Sequence, residues 1–555
     1  MRPSATRAVL LLAAVLAIWN AWGYDLWAPD EPYFGEGARE MIADGEWVVP
    51  HVNGEITTDK PPLFFWLIAL LSWPFGSVSA LTARLPSILA FLGTVALTMR
   101  LGRGAAGGRA GTVAGLVFAT LYLAWDKGRT SQIDATLCFF VTLALSAFAG
   151  WRARGEAAAP PARAWLESPW VFWGALGCAT LAKGPVGLLV PLGIALLTLA
   201  VDGRPGAWRR FAPVAGPLLM LAIPGLWIVM TLTLGPAEYS VAEAFRRHVL
   251  ERGVSGMHHP QPPYYFLYTM PQGLMPWTLF LPGALWLAWR RRDPADRLLI
   301  VWLAFTVVFF SIWREKRDLY VLPAYPAAAL LISRLAGAVA GWGPPPEGTS
   351  PRAAEPRPWS GWVLLPAGST ALIFVAAAVA IPRIVALRAP ALSAAATPTA
   401  AVVGLGGLLV LWQTLLKRPV RAMLMLGGAT AAVYLTTVTI LYPAINPLKS
   451  AAELGRRLAA ETPAWRGAGG RPLAFGLGNT VRQIAFYSDG IYPLEVVKDG
   501  EFIRRFDEPA PVWAVVDGAR FEEVRPRLRS AARIVATAPL FDGPVHLIVS
   551  EPPVQ

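Results

Sequence analysis

The chain has few charged residues and almost no cysteine. Only 15% of its 555 residues are charged, whereas an average soluble domain has roughly 25%. With 55% hydrophobic residues and a mean hydropathy of +0.46, this composition excludes a soluble globular protein and indicates a polytopic membrane protein. Both cysteines, Cys138 and Cys178, lie inside apolar segments. We therefore interpret them as small core side chains, not as a disulfide or a metal site.

The net charge of +13 needs a separate explanation. In a soluble protein such an excess would suggest a nucleic-acid partner, but here basic residues cluster in the short loops between apolar stretches. We therefore expect a lipid bilayer and no nucleic acid as the partner. The 24 tryptophans agree with this class, because tryptophan favours the membrane interface.

Apolar stretches of bilayer length predict about thirteen transmembrane helices. We interpret the first one as uncleaved, because no convincing small-x-small cleavage site follows it. The predicted spans lie near residues 8–24, 81–102, 109–126, 132–151, 168–184, 186–201, 213–235, 265–289, 298–313, 319–341, 361–382, 401–416 and 421–442.

Basic loops predict the orientation. If the N-terminus lies inside, the loops that follow the even-numbered spans are all basic, as the positive-inside rule requires. Thirteen spans then place the C-terminus outside. The loops on the opposite face also hold basic residues, among them Lys60, Lys127, Lys183 and Lys316. Two explanations stay open: ordinary surface solvation, or a cationic basin for an anionic ligand at the outer interface.

The first outer loop, residues 25–80, is too long for a simple connector. Residues 33–43 have the apolar spacing of an amphipathic helix on the membrane surface. Residues 61–76 begin with two prolines and are too short to span, so we predict an interfacial or re-entrant helix. The loop holds an acidic pair, Asp30-Glu31, and an acid followed by a lysine, Asp59-Lys60. Because such groups are costly to desolvate at a bilayer edge, we interpret the loop as a lipid-facing catalytic site.

Residues 448–555 differ in composition from the membrane domain, residues 1–447. Short β-rich runs at Pro472–Phe475, Val512–Val516, Ile534–Ala536 and His546–Val549 and a helix at Ala451–Ala460 predict a small extracytoplasmic α/β domain. We expect this domain to influence acceptor choice and not the chemistry. Three of its polar residues, Asn479, Arg482 and Gln483, are predicted to lie on the surface of a short helix.

A series of motifs in one order resembles a known family. The motifs are Asp30-Glu31-Pro32, Ala38-Arg39-Glu40-Met41, Gly45-Glu46-Trp47, Asn53-Gly54, Asp59-Lys60-Pro61-Pro62-Leu63, Ala83-Arg84-Leu85-Pro86-Ser87, Asp134, Ala182-Lys183-Gly184-Pro185, His248 to Arg252, and Lys316 with Tyr320-Val321-Leu322-Pro323. Together they resemble the lipid A 4-amino-4-deoxy-L-arabinose transferases. These belong to the polyprenyl-phosphate-sugar glycosyltransferases with the GT-C fold, which include the protein O-mannosyltransferases.

The resemblance implies sugar transfer from a polyprenyl phosphate, undecaprenyl phosphate in bacteria, to an acceptor outside the inner membrane. The acceptor would be lipid A or another envelope glycolipid. Asp30 and Asp134 match catalytic acids of the family, and Lys60, Arg252 and Tyr320 match residues that hold the donor phosphate. Supporting positions are Glu31, Asp59, Arg84, Lys183, His248 and Lys316. In many relatives a glutamate stands where this chain has Asp59, so the acid is kept but its side chain is one methylene shorter.

The residues themselves suit this chemistry, because the reaction builds negative charge on a phosphate leaving group and needs cations there. Lysine supplies a point charge, arginine a bidentate fork and tyrosine one further hydrogen bond. An acidic residue would serve as the base for a hydroxyl acceptor. The Asp-Glu pair is not an Asp-x-Asp metal motif, so the use of a divalent cation stays open.

Simpler roles remain open for each residue. Lys60 could extend toward the membrane interface, Arg252 could form a surface ion pair, and Tyr320 could anchor at the interface. Asp30 could cap the helix that starts near Pro32. Asp134 could form an ion pair with Lys127 or Arg129, and Lys183 could lie in a simple turn.

Three functions compete at this point. The transferase explains the acids and Lys60 at the outer face. A lipid-linked-sugar flippase explains the span count, but transporter sites usually lie near the bilayer midplane. An envelope assembly scaffold would use the outer domain for partners. The sequence favours the transferase, with a protein O-glycosyltransferase as the alternative.

Overall fold

The computed structural model describes residues 3–57, 60–154, 162–211, 214–236, 238–240, 246, 260–342, 359–461, 471–509 and 511–551. The chain forms two compact units. The membrane unit contains Met1–Trp19, Thr58–Phe64 and Pro86–Leu441, and the loop unit contains Asn20–Thr57, Phe65–Leu85 and Tyr442–Gln555. The loop unit thus joins most of the first outer loop to the C-terminal residues. The division into domains 1–447 and 448–555 stays a prediction.

Helices make up the membrane unit. They are α1 (Pro3–Ile18), the larger part of α4 (Ala80–Ala119), α5 (Tyr122–Arg129), α6 (Ile133–Arg154), α7 (Pro169–Lys183), α8 (Val186–Val201), α9 (Trp208–Phe211), α10 (Ala215–Leu234), α11 (Tyr265–Gly273), α12 (Leu281–Arg291), α13 (Pro294–Ile312), α14 (Tyr325–Ala340), α15 (Gly361–Arg388), α16 (Ser393–Leu415) and α17 (Pro419–Thr436). A 3₁₀ segment, Asp318–Ala324, leads into α14.

Eight helices within the described residues are long and apolar enough to cross a membrane: Ala80–Gly104, Ile133–Arg154, Ala215–Leu234, Pro294–Ile312, Asp318–Ala340, Gly361–Arg388, Pro390–Leu415 and Pro419–Lys449. Each coincides with a predicted span. The predicted span 8–24 is a shorter apolar helix, and residues 265–289 form two separate short helices, α11 and α12. The fold class is as expected, but a count of thirteen spans is not confirmed.

Helix α4 reverses its direction near Gly107. In a straight helix, residues 102 and 111 would lie about 13 Å apart along the axis. A Cβ placed on Gly102 would instead lie 2.9 Å from the Cα of Gly111, and Gly107 has a φ of +85°. A positive φ is easy only for glycine. The segment is therefore a pair of antiparallel helices, in agreement with two predicted spans at 81–102 and 109–126.

In the loop unit, the first outer loop forms α2 (Asp30–Asp44), a small hairpin of β1 (His51–Val52) with β2 (Glu55–Ile56), and most of α3 (Leu63–Ser72). Helix α2 was expected as an amphipathic surface helix, but ten of its residues are buried, from Glu31 to Met41. Its glycines allow this, because a Cβ on Gly37 would lie only 2.5 Å from the ring of Phe65. Helix α2 is therefore a core element of its unit.

The C-terminal part of the loop unit is an α/β layer structure. Its helices are α18 (Tyr442–Lys449), α19 (Ala452–Ala460), α20 (Thr480–Tyr487), α21 (Asp499–Phe506) and α22 (Gly518–Val524), and its strands are β3 (Leu473–Phe475), β4 (Leu494–Val496), β5 (Trp513–Asp517), β6 (Ala531–Leu540) and β7 (Gly543–Glu551). The strand order is β4-β3-β5-β7-β6, with β3 parallel to β4 and β5 and the other pairs antiparallel. Apolar side chains on both faces of the sheet form two cores.

Candidate active site

Asp30 is the first residue of α2, and its side chain is half-buried. Pro29 takes the N-cap position, so the simpler role of Asp30 as the N-cap residue is not what the structure shows. An acid in the first turn is still favoured by the positive end of the helix dipole. The helix therefore holds Asp30 at a defined place in the first outer loop.

Glu31 and Arg84 form a buried, bidentate ion pair within the loop unit. Arg84 Nε and Nη2 donate to the two carboxylate oxygens of Glu31 at 2.7 and 2.8 Å. The remaining donors reach the backbone oxygens of Ala21, Tyr24 and Asp25 at 2.6 to 3.1 Å. All five N–H groups of a guanidinium are thereby used. Arg84, predicted as a supporting residue, fixes the segment around Asp30 and has no donor left for a substrate.

The segment before Asp30 is held by residues from the C-terminal part of the same unit. Asp25 accepts hydrogen bonds from Asn446 Nδ2 and Ser450 Oγ, both at 2.8 Å, and from Arg456 Nη2 at 2.6 Å. The backbone N–H of Leu26 donates to Tyr487 Oη at 2.7 Å. These contacts fix the backbone four to five residues before Asp30.

The structure contradicts the predicted surface position of Gln483. It was expected as a surface polar residue, but it is 1% exposed. Its amide donates to the backbone oxygen of Leu26 at 2.6 Å and accepts from the backbone N–H of Ala451 at 2.8 Å. The sequence signal was weak: Gln483 lies beside Ile484 on the apolar face of α20, and a buried amide cannot be recognised without its partners.

A second acidic cluster lies farther along α2, inside the loop unit. Arg39 donates to Glu36 at 2.7 Å and to Tyr492 Oη at 2.7 Å. Glu40 is 2% exposed and accepts from the backbone N–H of Gly54 at 3.2 Å. Burial, together with the negative charge of Glu36, raises the pKa of Glu40 to about 7. This carboxyl group therefore titrates near neutral pH, which sequence reasoning did not anticipate.

In the membrane unit, three predicted residues come together. Asp134, in the first turn of α6, is 1% exposed and pairs with the ammonium group of Lys183 at the end of α7. The same ammonium group lies 4.5 Å from the centre of the Tyr320 ring, within cation–π range. The ion pair expected for Asp134 is thus present, but its partner is Lys183 of another helix.

Neighbouring residues in the sequence explain how the backbone positions Lys183 and Asp134. Lys183 is the last residue of α7, and Gly184 follows with φ 70° and ψ −151°, a conformation that requires glycine. The N-terminus of α6 is held by Ser87 of α4, whose hydroxyl donates to the backbone oxygen of Gln132 at 3.0 Å. The Lys183-Gly184 turn and Ser87 of the Ala-Arg-Leu-Pro-Ser motif therefore each have a positioning role.

Two further predicted cations differ in their surroundings. Lys60 is half-buried and precedes Pro61, Pro62 and the start of α3. Lys316 is 2% exposed and donates to the backbone oxygens of Trp313 and, at 2.9 Å, Gln261. Lys316 thus fixes a loop of the membrane unit. The roles of Lys60 and Tyr320 at a donor phosphate stay predictions, and so does the supporting role of Lys183.

Three predicted positions, Asp59, Arg252 and His248, lie outside the described residues. Where the structure does describe the chain, no group of three or more His, Cys, Asp or Glu side chains could hold a metal ion.

Sequence comparisons identify relatives of this chain. Residues 5–229 match the model of the dolichyl-phosphate-mannose-protein mannosyltransferase family. The chain is 30% identical over 315 residues to the undecaprenyl phosphate-alpha-4-amino-4-deoxy-L-arabinose arabinosyl transferase of Edwardsiella ictaluri, covering 56% of this chain and 55% of that protein. It is 28% identical over 331 residues to a second such enzyme from Sodalis glossinidius, covering 57% and 56%. The chain thus spans about half the length of these relatives.

The solved structures extend the likeness to the whole fold. The crystal structure of ArnT from Cupriavidus metallidurans bound to undecaprenyl phosphate superposes with a TM-score of 0.77, covering 99% of this chain and 98% of that one at 21% identity. The apo form gives a TM-score of 0.76. The expected fold, a helical GT-C membrane domain with a small C-terminal sheet domain, is confirmed.

Proposed function

We propose that this chain, an ArnT-like glycosyltransferase of the GT-C fold, transfers a pentose, 4-amino-4-deoxy-L-arabinose, from undecaprenyl phosphate to a lipid A-type glycolipid. The relatives' names and the ArnT structure with undecaprenyl phosphate support this donor. The observation that carries the proposal is the cluster of Lys183, Asp134 and Tyr320 in the membrane unit.

The cluster suits a phosphate leaving group. An ammonium group has three donors, and Lys183 directs one to Asp134 while its charge faces Tyr320. During transfer the bond between the anomeric carbon and the phosphate oxygen breaks, and its electron pair remains on the phosphate. Fixed cations lower the energy of that state because they need no reorganisation. We assign this role to Lys60, Lys183 and Arg252, with Tyr320 as a hydrogen-bond donor.

Asp30 is the proposed partner of the acceptor. If a hydroxyl group attacks, its proton moves to the Asp30 carboxylate as the new carbon–oxygen bond forms. If the attacking group is a phosphate of the acceptor, no strong base is required and Asp30 orients the acceptor. Glu31, Arg84 and Gln483 act through the backbone and are positioning residues.

The proposed reaction takes place on the outer side of the bacterial inner membrane. This orientation rests on the basic loops between the predicted spans. Single cysteines at Asp44 or Ala531, both exposed, in a variant without Cys138 and Cys178, should react with a membrane-impermeant maleimide in intact spheroplasts. Labelling only after the inner face is opened would reverse the orientation.

A second candidate function is sugar transfer to protein, because residues 5–229 match a family of protein mannosyltransferases. One experiment separates the two: mass spectrometry of envelope lipids and glycoproteins from cells with and without the gene. The proposal expects a pentose-modified lipid A that disappears with the gene. Loss of a glycopeptide with unchanged lipid A would favour the protein acceptor.

A further inference from the structure

A cavity of about 760 Å³ lies in the loop unit and has no role in the chemistry above. Its walls come from the segment Trp22–Asp25, from the end of α2, from residues 76–80 and from the C-terminal helices. Trp22 follows the last residue of α1 by four positions, and Ala80 is the first residue of α4. Both helices are apolar, and residues next to the ends of such helices favour the level of the lipid head groups.

The charged residues that line the cavity balance each other. Two arginines, Arg39 and Arg456, face two acids, Asp25 and Asp489. Arg456 donates to Asp25 at 2.6 Å, while Asp489 is exposed. Such a lining offers donors and acceptors side by side without a net charge. It therefore suits a neutral ligand rich in hydroxyl groups and not a multiply charged anion.

Aromatic side chains complete the lining. Trp22 is 57% exposed, and Phe486 and Tyr487 also line the cavity. The carbon–hydrogen faces of a pyranose ring pack on such rings, while its hydroxyl groups bond to the polar groups between them. The cavity volume falls within the usual range for ligand sites, about 300–1,000 Å³.

We propose that this cavity binds the saccharide of the glycolipid acceptor. The inference rests on the proposed function and names the part of the acceptor that is recognised. Acyl chains are a poor fit because the lining carries four charged groups. Asp25 forms one wall, and the chain reaches Asp30 five residues later. A saccharide held there would lie beside the segment that carries the proposed acceptor base.

The test uses the full-length protein in detergent and saturation-transfer NMR with the dephosphorylated glucosamine disaccharide of lipid A, in which acetyl groups replace the N-linked acyl chains so that the probe is neutral. Ala43 lines the cavity and is exposed, so Ala43→Trp fills the space without removing a polar contact. We expect at least tenfold weaker disaccharide binding. Ala531→Trp, at an exposed position of β6 away from the cavity, is the matched control and should bind like the wild type.

A second variant guards against misfolding of the first. Asp489 has a φ of 57°, a conformation that asparagine tolerates, so Asp489→Asn keeps the backbone and removes only the charge. We expect binding to weaken about tenfold or more, as for the loss of one hydrogen bond to a charged group.

The outcomes separate the two proposals. Wild-type binding in Ala43→Trp, no binding by the wild type, or displacement of the disaccharide by an equal concentration of inorganic phosphate would overturn the saccharide site. Disaccharide binding that is lost in Ala43→Trp, in a wild-type protein that transfers no sugar in proteoliposomes, would sustain the site and refute the proposed transferase.

Discussion

Two buried ion pairs, one in each unit, differ in whether the cation keeps hydrogen-bond donors that a substrate could use. In the loop unit, Arg84 binds Glu31 with side chains 0% and 5% exposed, and all five of its donors are used. In the membrane unit, Lys183 binds Asp134 with side chains 12% and 2% exposed, and its ammonium group also faces Tyr320. The first pair is saturated, whereas the second retains donors and some access.

The difference shows how a buried charge can be assigned a role. A buried ion pair is weak evidence for stability in itself, so its hydrogen-bond inventory matters more than its presence. A guanidinium with every donor engaged can only position the backbone that it holds. An ammonium group with one acid partner can still accept a phosphate as a second partner.

The largest effect is expected when the saturated pair is broken. Arg84→Met leaves the buried Glu31 carboxylate without its charged partner, so the free energy of unfolding should fall by about 3–5 kcal/mol. Thermal unfolding in detergent and proteolysis of the first loop measure this loss. Arg533→Met removes an exposed pair with Glu551 and should change stability by less than about 1 kcal/mol. Equal effects of the two variants would contradict the positioning role of Arg84.

Substitutions in the Lys183–Asp134 pair should affect sugar transfer more than stability. Lys183→Gln should lower sugar transfer at least 100-fold, the usual effect of removing one group that stabilises developing charge. The double variant Lys183→Gln with Asp134→Asn should recover the melting temperature because no charge remains buried alone, but it should not recover transfer. If the double variant transfers sugar at the wild-type rate, the pair is structural like Glu31–Arg84.

A smaller effect is expected from substitution of Gln483, which tests whether the C-terminal residues position the first outer loop. Gln483→Met keeps the side-chain volume but leaves the backbone groups of Leu26 and Ala451 unpaired. We expect a loss of about 1–3 kcal/mol in unfolding free energy and a lower kcat with an unchanged donor KM. Arg504→Met, at an exposed position of α21, serves as the control. An unchanged kcat in Gln483→Met would mean that these contacts do not reach Asp30.

The smallest effect concerns pH. The pKa of Glu40 is raised in the folded protein to about 7, mainly by burial, so the folded state binds the proton more tightly than the unfolded state. Stability is then fully present below the unfolded pKa and falls as pH rises toward 7. The melting temperature of the wild type should drop by about 2–4 °C between pH 5 and 8. Glu40→Gln should show a smaller drop; an identical pH profile would contradict the shift.

The fold was predictable where it depends on apolar length and periodicity. Eight spans, α3, and four of the five strands of the C-terminal sheet follow directly from the residue pattern. The count of thirteen is not confirmed, because prolines and short separators interrupt some predicted spans, as between α11 and α12. Length alone cannot tell a broken helix from a continuous one.

The site was predictable from its motifs only in part. Asp134, Lys183 and Tyr320 were singled out separately, and the structure shows that they meet. The hydrogen bond between Gln483 and Leu26 joins positions more than 450 residues apart, which no local pattern contains. The burial of α2 could not be seen either, because the glycines that permit it look like breaks in a helix.

The most direct test of the account is sugar transfer by the full-length protein in proteoliposomes. Undecaprenyl-phosphate-linked 4-amino-4-deoxy-L-arabinose is the donor, lipid A is the acceptor, and the product is read by mass spectrometry. We expect one added pentose with the wild type and none with Asp30→Asn or Lys60→Ala, and Lys60→Arg should recover little because the point charge becomes a fork. Unmodified lipid A with the wild type, or transfer at the wild-type rate by Lys60→Ala, would contradict it.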